Sequence, residues 1–334
     1  MSADLTSLQS ESRVLFAIKL IPMQGQRFQP TGFPSLGAAF YRTPNGQSVL
    51  VESAQSMANR LEATIWNAAT NEPNTDVRGI SHVVVKRKGH FLTDTMLESH
   101  RLNSPYLLEG SNKGFVEKLK GELGALSEGP IDRKLLAQVL LKYDVGSLLH
   151  GVFLAKKELA GGRLRVARAL TAFVEADGAE TVASGGVKND HVNPSGLTKL
   201  GYGNVPFARD EYTAKTITLY VNLDLAQIRG YGLGAPAERL LTLLGLYKVR
   251  ALIDGDMRFR TACDLRRESE GAVLATRPRG FELPDLADLR TQLRLAIDAC
   301  KGAMTETEVA FDDDLKKGRD EDNEAEEGEA AEAP

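Results

Sequence analysis

Residues 24–62 read QGQRFQPTGFPSLGAAFYRTPNGQSVLVESAQSMANRLE: a loop rich in Gly, Pro and amides, a short apolar strand, and a helix that opens on small polar residues. From Arg13 to Val51 the chain has no Asp or Glu, while Arg13, Lys19, Arg27 and Arg42 are all present. Phosphate oxygens attract amide and backbone donors and are repelled by carboxylates, so this composition suits a polyanion. The same residues also suit an ordinary connection from strand to helix, with Gly and Pro where turns need them. On these residues alone both readings stand.

Outward from this stretch, alternation predicts a strand over Val14–Ile21, with Val14, Phe16, Ile18 and Leu20 on one face. Val49–Val51 is a second strand, and Ser53 is placed to cap a helix to about Ala69. Met57, Leu61, Ile65 and Ala68 would face the core; Gln55, Asn59 and Glu62 form the opposite polar stripe. Ser81–Lys88 is β-rich and ends in Lys86, Arg87 and Lys88. Residues 94–143 read as an inserted helical lobe, in which Asp132 caps a helix burying Leu136 and Leu140.

Val145–Lys157 and Arg163–Glu175 return to strand in a hairpin turned at Ala160-Gly161-Gly162, which sets Arg163 and Arg165 on one side. Periodicity fades over about 177–212, and so long a patternless stretch is usually functional or disordered. Thr216–Leu225 then alternates cleanly, followed by a helix opened by Pro236, a strand over Arg258–Leu265 and a helix over Asp285–Lys301. The succession is compatible with an α+β fold on a split β-α-β-β-α-β core. The open face of its sheet would carry Arg163, Arg165, Tyr220, Asn222, Arg258 and Arg260. The expected layout is a flexible arm over 1–12, a body over 13–305 and a disordered acidic tail over 306–334.

The formal charge of −4 divides unevenly: from Glu306 onward there are thirteen carboxylates against three basic residues, so residues 1–305 carry 38 basic against 32 acidic residues. A mildly basic body with an acidic end points toward polyanion traffic, although a plain solvated tail explains the second half equally well. Cys263 and Cys300 share no ligand spacing, and the five histidines form no HxH or HxxxH pair. Two buried thiols are expected, with no metal and no cofactor. The polar N-terminus and the lack of a long apolar run lead to an expectation of a cytoplasmic protein with no membrane partner.

The motifs Gln24–Pro34, Leu36–Ala39 and Val51–Glu62, with Glu109-Gly110, Ser184–Lys188 and Cys263–Leu265, resemble a CRISPR-associated family: the RAMP-type backbone subunit of the type I-G (formerly I-U) Cascade surveillance complex. The resemblance implies a modified RNA-recognition-motif core, with the patternless stretch as an extended thumb. It also implies a non-catalytic subunit that polymerises with copies of itself along CRISPR guide RNA and presents the guide for pairing with target DNA, so that sequence specificity belongs to the guide. Further implied partners are a large subunit, a cap subunit that processes the guide, and a helicase-nuclease.

On that reading Arg27, Lys86, Arg87 and Lys188 neutralise phosphates, Gln24, Gln29, Gln55 and Asn59 bond riboses and phosphates, and Phe33 stacks on bases. The rest of the expected RNA-binding set is Thr31, Gly32, Ser53, Ser56, Arg60, Lys88, Arg163, Arg165, Gly185, Gly186, His191, Arg258 and Arg260.

Other chemistries fit less well. Gly230-Tyr231-Gly232-Leu233-Gly234-Ala235 matches a loose dinucleotide fingerprint, but Pro236 starts the helix only after the last glycine. His191 or His82 are the candidates for a RAMP-type endoribonuclease with a histidine acid or base. An acidic-tailed protein-interaction module is the remaining alternative.

Overall fold

Alternating apolar residues build the central sheet of the protein. The computed structural model describes residues 5–33, 37–44, 46–124 and 129–315. The first four residues of the expected arm, the expected tail beyond Leu315 and the Phe33 side chain lie outside the described residues.

The first half holds β1 (Arg13–Pro22), β2 (Phe40–Thr43), β3 (Gly46–Glu52), α1 (Ala54–Ala63), β4 (His82–Arg87) and β5 (His90–Asp94). The helical lobe follows with α2 (Pro105–Leu108), α3 (Gly114–Leu123) and α4 (Arg133–Tyr143), then α5 (Gly146–His150), β6 (Val152–Leu154) and β7 (Leu164–Val166). The second half holds β8 (Leu170–Asp177), β9 (Glu180–Lys188), β10 (Val205–Thr213), β11 (Thr216–Asp224), α6 (Leu225–Gly230) and α7 (Ala235–Asp254). Last come β12 (Met257–Arg260), β13 (Cys263–Arg267), α8 (Leu286–Cys300) and β14 (Glu306–Ala310).

This is a mixed α+β architecture around a seven-stranded antiparallel sheet in the order β12-β13-β1-β11-β8-β3-β2. Register sets Phe16 opposite Val221 and Val221 opposite Ala172, so the apolar faces of three adjacent strands coincide. Helices α1 and α7 pack over the sheet, and each fully buried Leu or Val there contributes about 2 kcal/mol. At Gly245 of α7 an added Cβ would sit 3.0 Å from a Leu223 methyl, which is why that position takes no larger side chain without movement. On the other face Phe173 stacks on Tyr220 with ring centroids 5.2 Å apart.

Several elements differ from expectation. Helix α1 ends at Ala63, because Trp66–Asn67 and Glu72–Pro73 pair as a small hairpin and Asn74 Nδ2 donates to the Thr64 carbonyl at 3.0 Å. Glu62, assigned to its polar stripe, is buried. The single strand expected over Arg258–Leu265 is the β12–β13 hairpin, turned at Ala262 with φ of 58°. Among the described residues strand β7 pairs only with β6, so Arg163 and Arg165 do not lie on the open sheet face as expected.

The patternless stretch is a two-stranded ribbon, β9 against β10, whose outer part is exposed. In the stretch read as an arm, Leu8 is buried and the Ser12 carbonyl accepts from the Ala226 amide at 2.9 Å. The expected tail begins as strand β14, parallel to β4, because Val309 and Phe311 are buried there; Phe311 lies edge-on to Tyr106 at 5.2 Å. Both cysteines are free and buried. Among the described residues no helix is long and apolar enough to cross a membrane.

Candidate nucleic-acid interface

A cleft of about 1200 Å³ opens between α1, the helical lobe and the β6–β7 pair. Helix α1 turns Gln55 and Asn59 toward it, with Ala58 between them, because Met57 and Leu61 are buried in the core. The lobe contributes His100, Asn103 and Arg133, and the β6–β7 segment contributes Phe153, Arg163, Arg165 and Arg168. Five arginines line the cleft against two glutamates. Both glutamates have partners: Glu98 accepts from Thr93 and Ser104 at 2.8 Å each, and Glu62 is buried among cations. The field in the cleft is therefore positive.

Its floor is a buried ionic cluster. Glu62 Oε1 lies 3.0 Å from Arg101 Nη2 and 2.7 Å from His150 Nε2, and also meets the Lys248 ammonium. Asp144 stands 3.3 Å from Arg101 Nη1 and accepts from Ser147 Oγ at 2.6 Å. Burial alone would raise the pKa of Glu62, but Arg101, Lys248 and His150 together hold it well below the usual carboxylate range. Burial, reinforced by Lys248, pushes His150 down to about 3, so the imidazole is neutral and its Nε2–H donates to Glu62. The cluster joins α1 to α5, α7 and the start of the lobe, which fixes the cleft walls relative to one another. Arg168 adds a surface tie: its Nε donates to the His150 carbonyl at 3.2 Å and its guanidinium meets Gln55 Oε1.

Of the residues expected to bind RNA, this cleft brings together Gln55, Asn59, Arg163 and Arg165. Ser56, Arg60 and Arg260 instead converge on the carboxylate of fully buried Glu52. Arg260 also donates to the carbonyls of Gln29 at 2.9 Å and Val51 at 3.0 Å, fastening the loop to β3. Thr31 N donates to the Val51 carbonyl at 3.0 Å, and a Cβ at Gly32 would fall 2.5 Å from the Gly37 carbonyl oxygen. Ser53 Oγ caps α1 by accepting from Ser56 N at 3.2 Å. Gln24 is exposed, and Arg27 pairs with Glu211 at 2.9 Å.

The cations at the end of β4 face the start of the acidic segment. Lys86 pairs with Glu308 at 2.5 Å, Arg87 Nε donates to the Asp313 carbonyl at 3.1 Å, and the Lys88 amide donates to Asp312 at 2.7 Å. Gly185, Gly186, Lys188 and His191 are exposed on the ribbon and its tip, and Arg258 is exposed 3.6 Å from Asp264. His82 is buried with Nδ1 2.6 Å from Asp94. Arg133, Phe153, Arg168, His100 and Asn103 were not picked out by sequence reasoning. Their only signal was Phe153 within Val152-Phe153-Leu154, which reads as uniformly apolar although Phe153 is 53% exposed.

An arginine-lined cleft over a fixed ionic floor is a surface whose charge suits an anionic ligand. Residues 14–181 match the family described as CRISPR-associated protein GSU0053, and the chain belongs to that family. Two solved structures are similar at a distance. One is a chain of a CRISPR RNA-guided surveillance complex, pre-nicking, with 16% identity, 76% of each chain covered and a TM-score of 0.37. The other is Csc2 of Thermofilum pendens, with 9% identity, 91% of this chain and 80% of that chain covered and a TM-score of 0.33. No curated protein matches the chain.

Proposed function

We propose that the protein is a non-catalytic backbone subunit of a type I-G CRISPR surveillance complex. It binds guide RNA through the sugar-phosphate chain, assembles with copies of itself along that RNA in the cytoplasm, and presents the bases to target DNA. The observation that carries this reading is the meeting of Gln55 and Asn59 with Arg163 and Arg165 across one cleft, in a chain of a CRISPR-associated family. Amides suited to ribose and phosphate oxygens face cations suited to phosphate charge, and neither group selects a base sequence.

The sheet order supports a modified RNA-recognition-motif core. In β13-β1-β11-β8 the first strand lies between the last and the third, as in a split β-α-β-β-α-β unit with α1 and α7 as its two helices. The exposed β9–β10 ribbon fits the thumb of such a subunit. The large subunit, the guide-processing cap subunit and the helicase-nuclease are the further partners of this reading.

Recovery of the protein from cells that carry a guide locus tests it. RNA of defined length should co-purify and remain intact on incubation. A protein that comes free of RNA, and that fails to bind single-stranded RNA at low ionic strength, overturns the reading; cleavage of the RNA overturns its non-catalytic part.

A further inference from the structure

Phe153 and Arg165 are direct cross-strand partners in the β6–β7 pair, so both side chains leave the same face of that ribbon. Both are exposed and both line the cleft. Phe153 is 53% exposed, and the wall it stands on carries Arg163, Arg165 and Arg168 beside the apolar Val152 and Val166. Neither Arg133 nor Arg165 has an ion-pair partner among the described residues. An open aromatic face beside guanidinium groups that no described carboxylate pairs is the combination that holds one base and its phosphate from a single strand: every base has a π-face to stack, and the cation takes the backbone charge.

We infer that Phe153 is a stacking platform for one nucleobase of single-stranded RNA, with Arg165 and Arg133 taking the flanking phosphates and Asn59 facing the sugar from the other wall. This rests on the guide-binding reading and deepens it, since it adds a base contact that is tolerant of sequence to a site otherwise built for the backbone. Both walls are held by the ionic floor, so the base enters a slot of fixed width.

The test compares the full chain with Phe153→Ala, Phe153→Trp and Arg165→Ala, using oligouridylate, its abasic counterpart of equal length and oligodeoxythymidylate across a salt series. Phe153→Ala should weaken oligouridylate binding roughly tenfold with the salt slope unchanged, because stacking releases no counterions. It should leave binding of the abasic strand unchanged. Phe153→Trp should keep the affinity and lose indole fluorescence when RNA binds. Arg165→Ala should weaken base-bearing and abasic RNA alike and lower the slope by about 0.7.

If the wild-type chain binds RNA and Phe153→Ala binds oligouridylate equally well, the platform is wrong while the guide-binding reading survives. Equal loss on the abasic strand would make Phe153 a structural residue and also overturn it, as would a loss confined to DNA. Failure of the wild-type chain to bind any RNA overturns the underlying reading instead.

Discussion

Arg27 Nη1 lies 2.9 Å from Glu211 Oε2, and next to this pair Phe28 and Tyr212 exchange backbone hydrogen bonds at 2.9 and 3.0 Å. The acid-free loop after β1 is therefore fastened to the root of the β9–β10 ribbon. Arg27 faces a carboxylate supplied from far along the chain, which no reading of the local composition reveals.

Arg27 should consequently matter less for RNA than its charge suggests. Arg27→Ala is expected to lower the salt slope of RNA binding by less than Arg165→Ala does, because Glu211 already screens it. With Arg27 about half exposed, the loss in stability should stay below about 1 kcal/mol in urea unfolding. A drop in slope equal to that of Arg165→Ala would return Arg27 to the RNA-binding set.

Glu52 should behave as a structural residue. It is fully buried and holds Ser56, Arg60 and Arg260. Removing it strands the guanidinium groups, so Glu52→Ala should cost about 3 kcal/mol by denaturant unfolding. A variant as stable as wild type would refute the structural role of those three side chains.

The ionic floor should make the fold acid-sensitive. The unfolded chain protonates His150 near pH 6.5, whereas the folded chain does so only at about 3. This group's contribution is thus fully present above about pH 6.5 and is lost as the pH falls toward the folded value. Glu62, also depressed, acts in the same sense at lower pH. His82 has the opposite sign: burial opposes its protonation, but Asp94 raises it overall, and it is common to wild type and variant. The melting temperature of the wild type should fall more between about pH 7 and about pH 5 than that of His150→Gln. Parallel curves would contradict the neutral imidazole.

Strand β14 should be held by Phe311. Its ring packs on Tyr106, and a Cβ at Gly110 would come within 3.0 Å of it. Phe311→Ala should cost about 3 kcal/mol and speed amide exchange along β4 and β14. Unchanged exchange would mean that the strand is held by its backbone pairing alone.

Much of this architecture was legible. Alternation marked Val14–Ile21 and Thr216–Leu225, and Ser53, Asp132 and Pro236 marked helix starts, because strand and cap signals are local. The β12–β13 turn was missed because Thr261-Ala262 carries no Gly or Asn, and Ala262 itself takes the positive φ. The ribbon was missed because both of its faces are largely exposed, which erases the alternation that burial imposes. In the candidate site, Gln55 and Asn59 were readable from the polar stripe of α1. Arg60 and Ser56, on the same helix, were not separable from them, since what removes them is Glu52 and the distant Arg260. Strand β14 hid behind its charge: five carboxylates in 306–315 suggested disorder, while Val309 and Phe311 decide the packing.

The claim at the centre is that the cleft beside α1 grips an RNA backbone. Salt-dependent binding of single-stranded RNA by the full chain and by an Arg133→Ala, Arg165→Ala double variant tests it most directly. The slope of log affinity against log salt should fall by about 1.4 in the double variant, as expected for two lost phosphate contacts on a single strand. Tight binding with an unchanged slope would place the RNA elsewhere on the molecule and contradict the account.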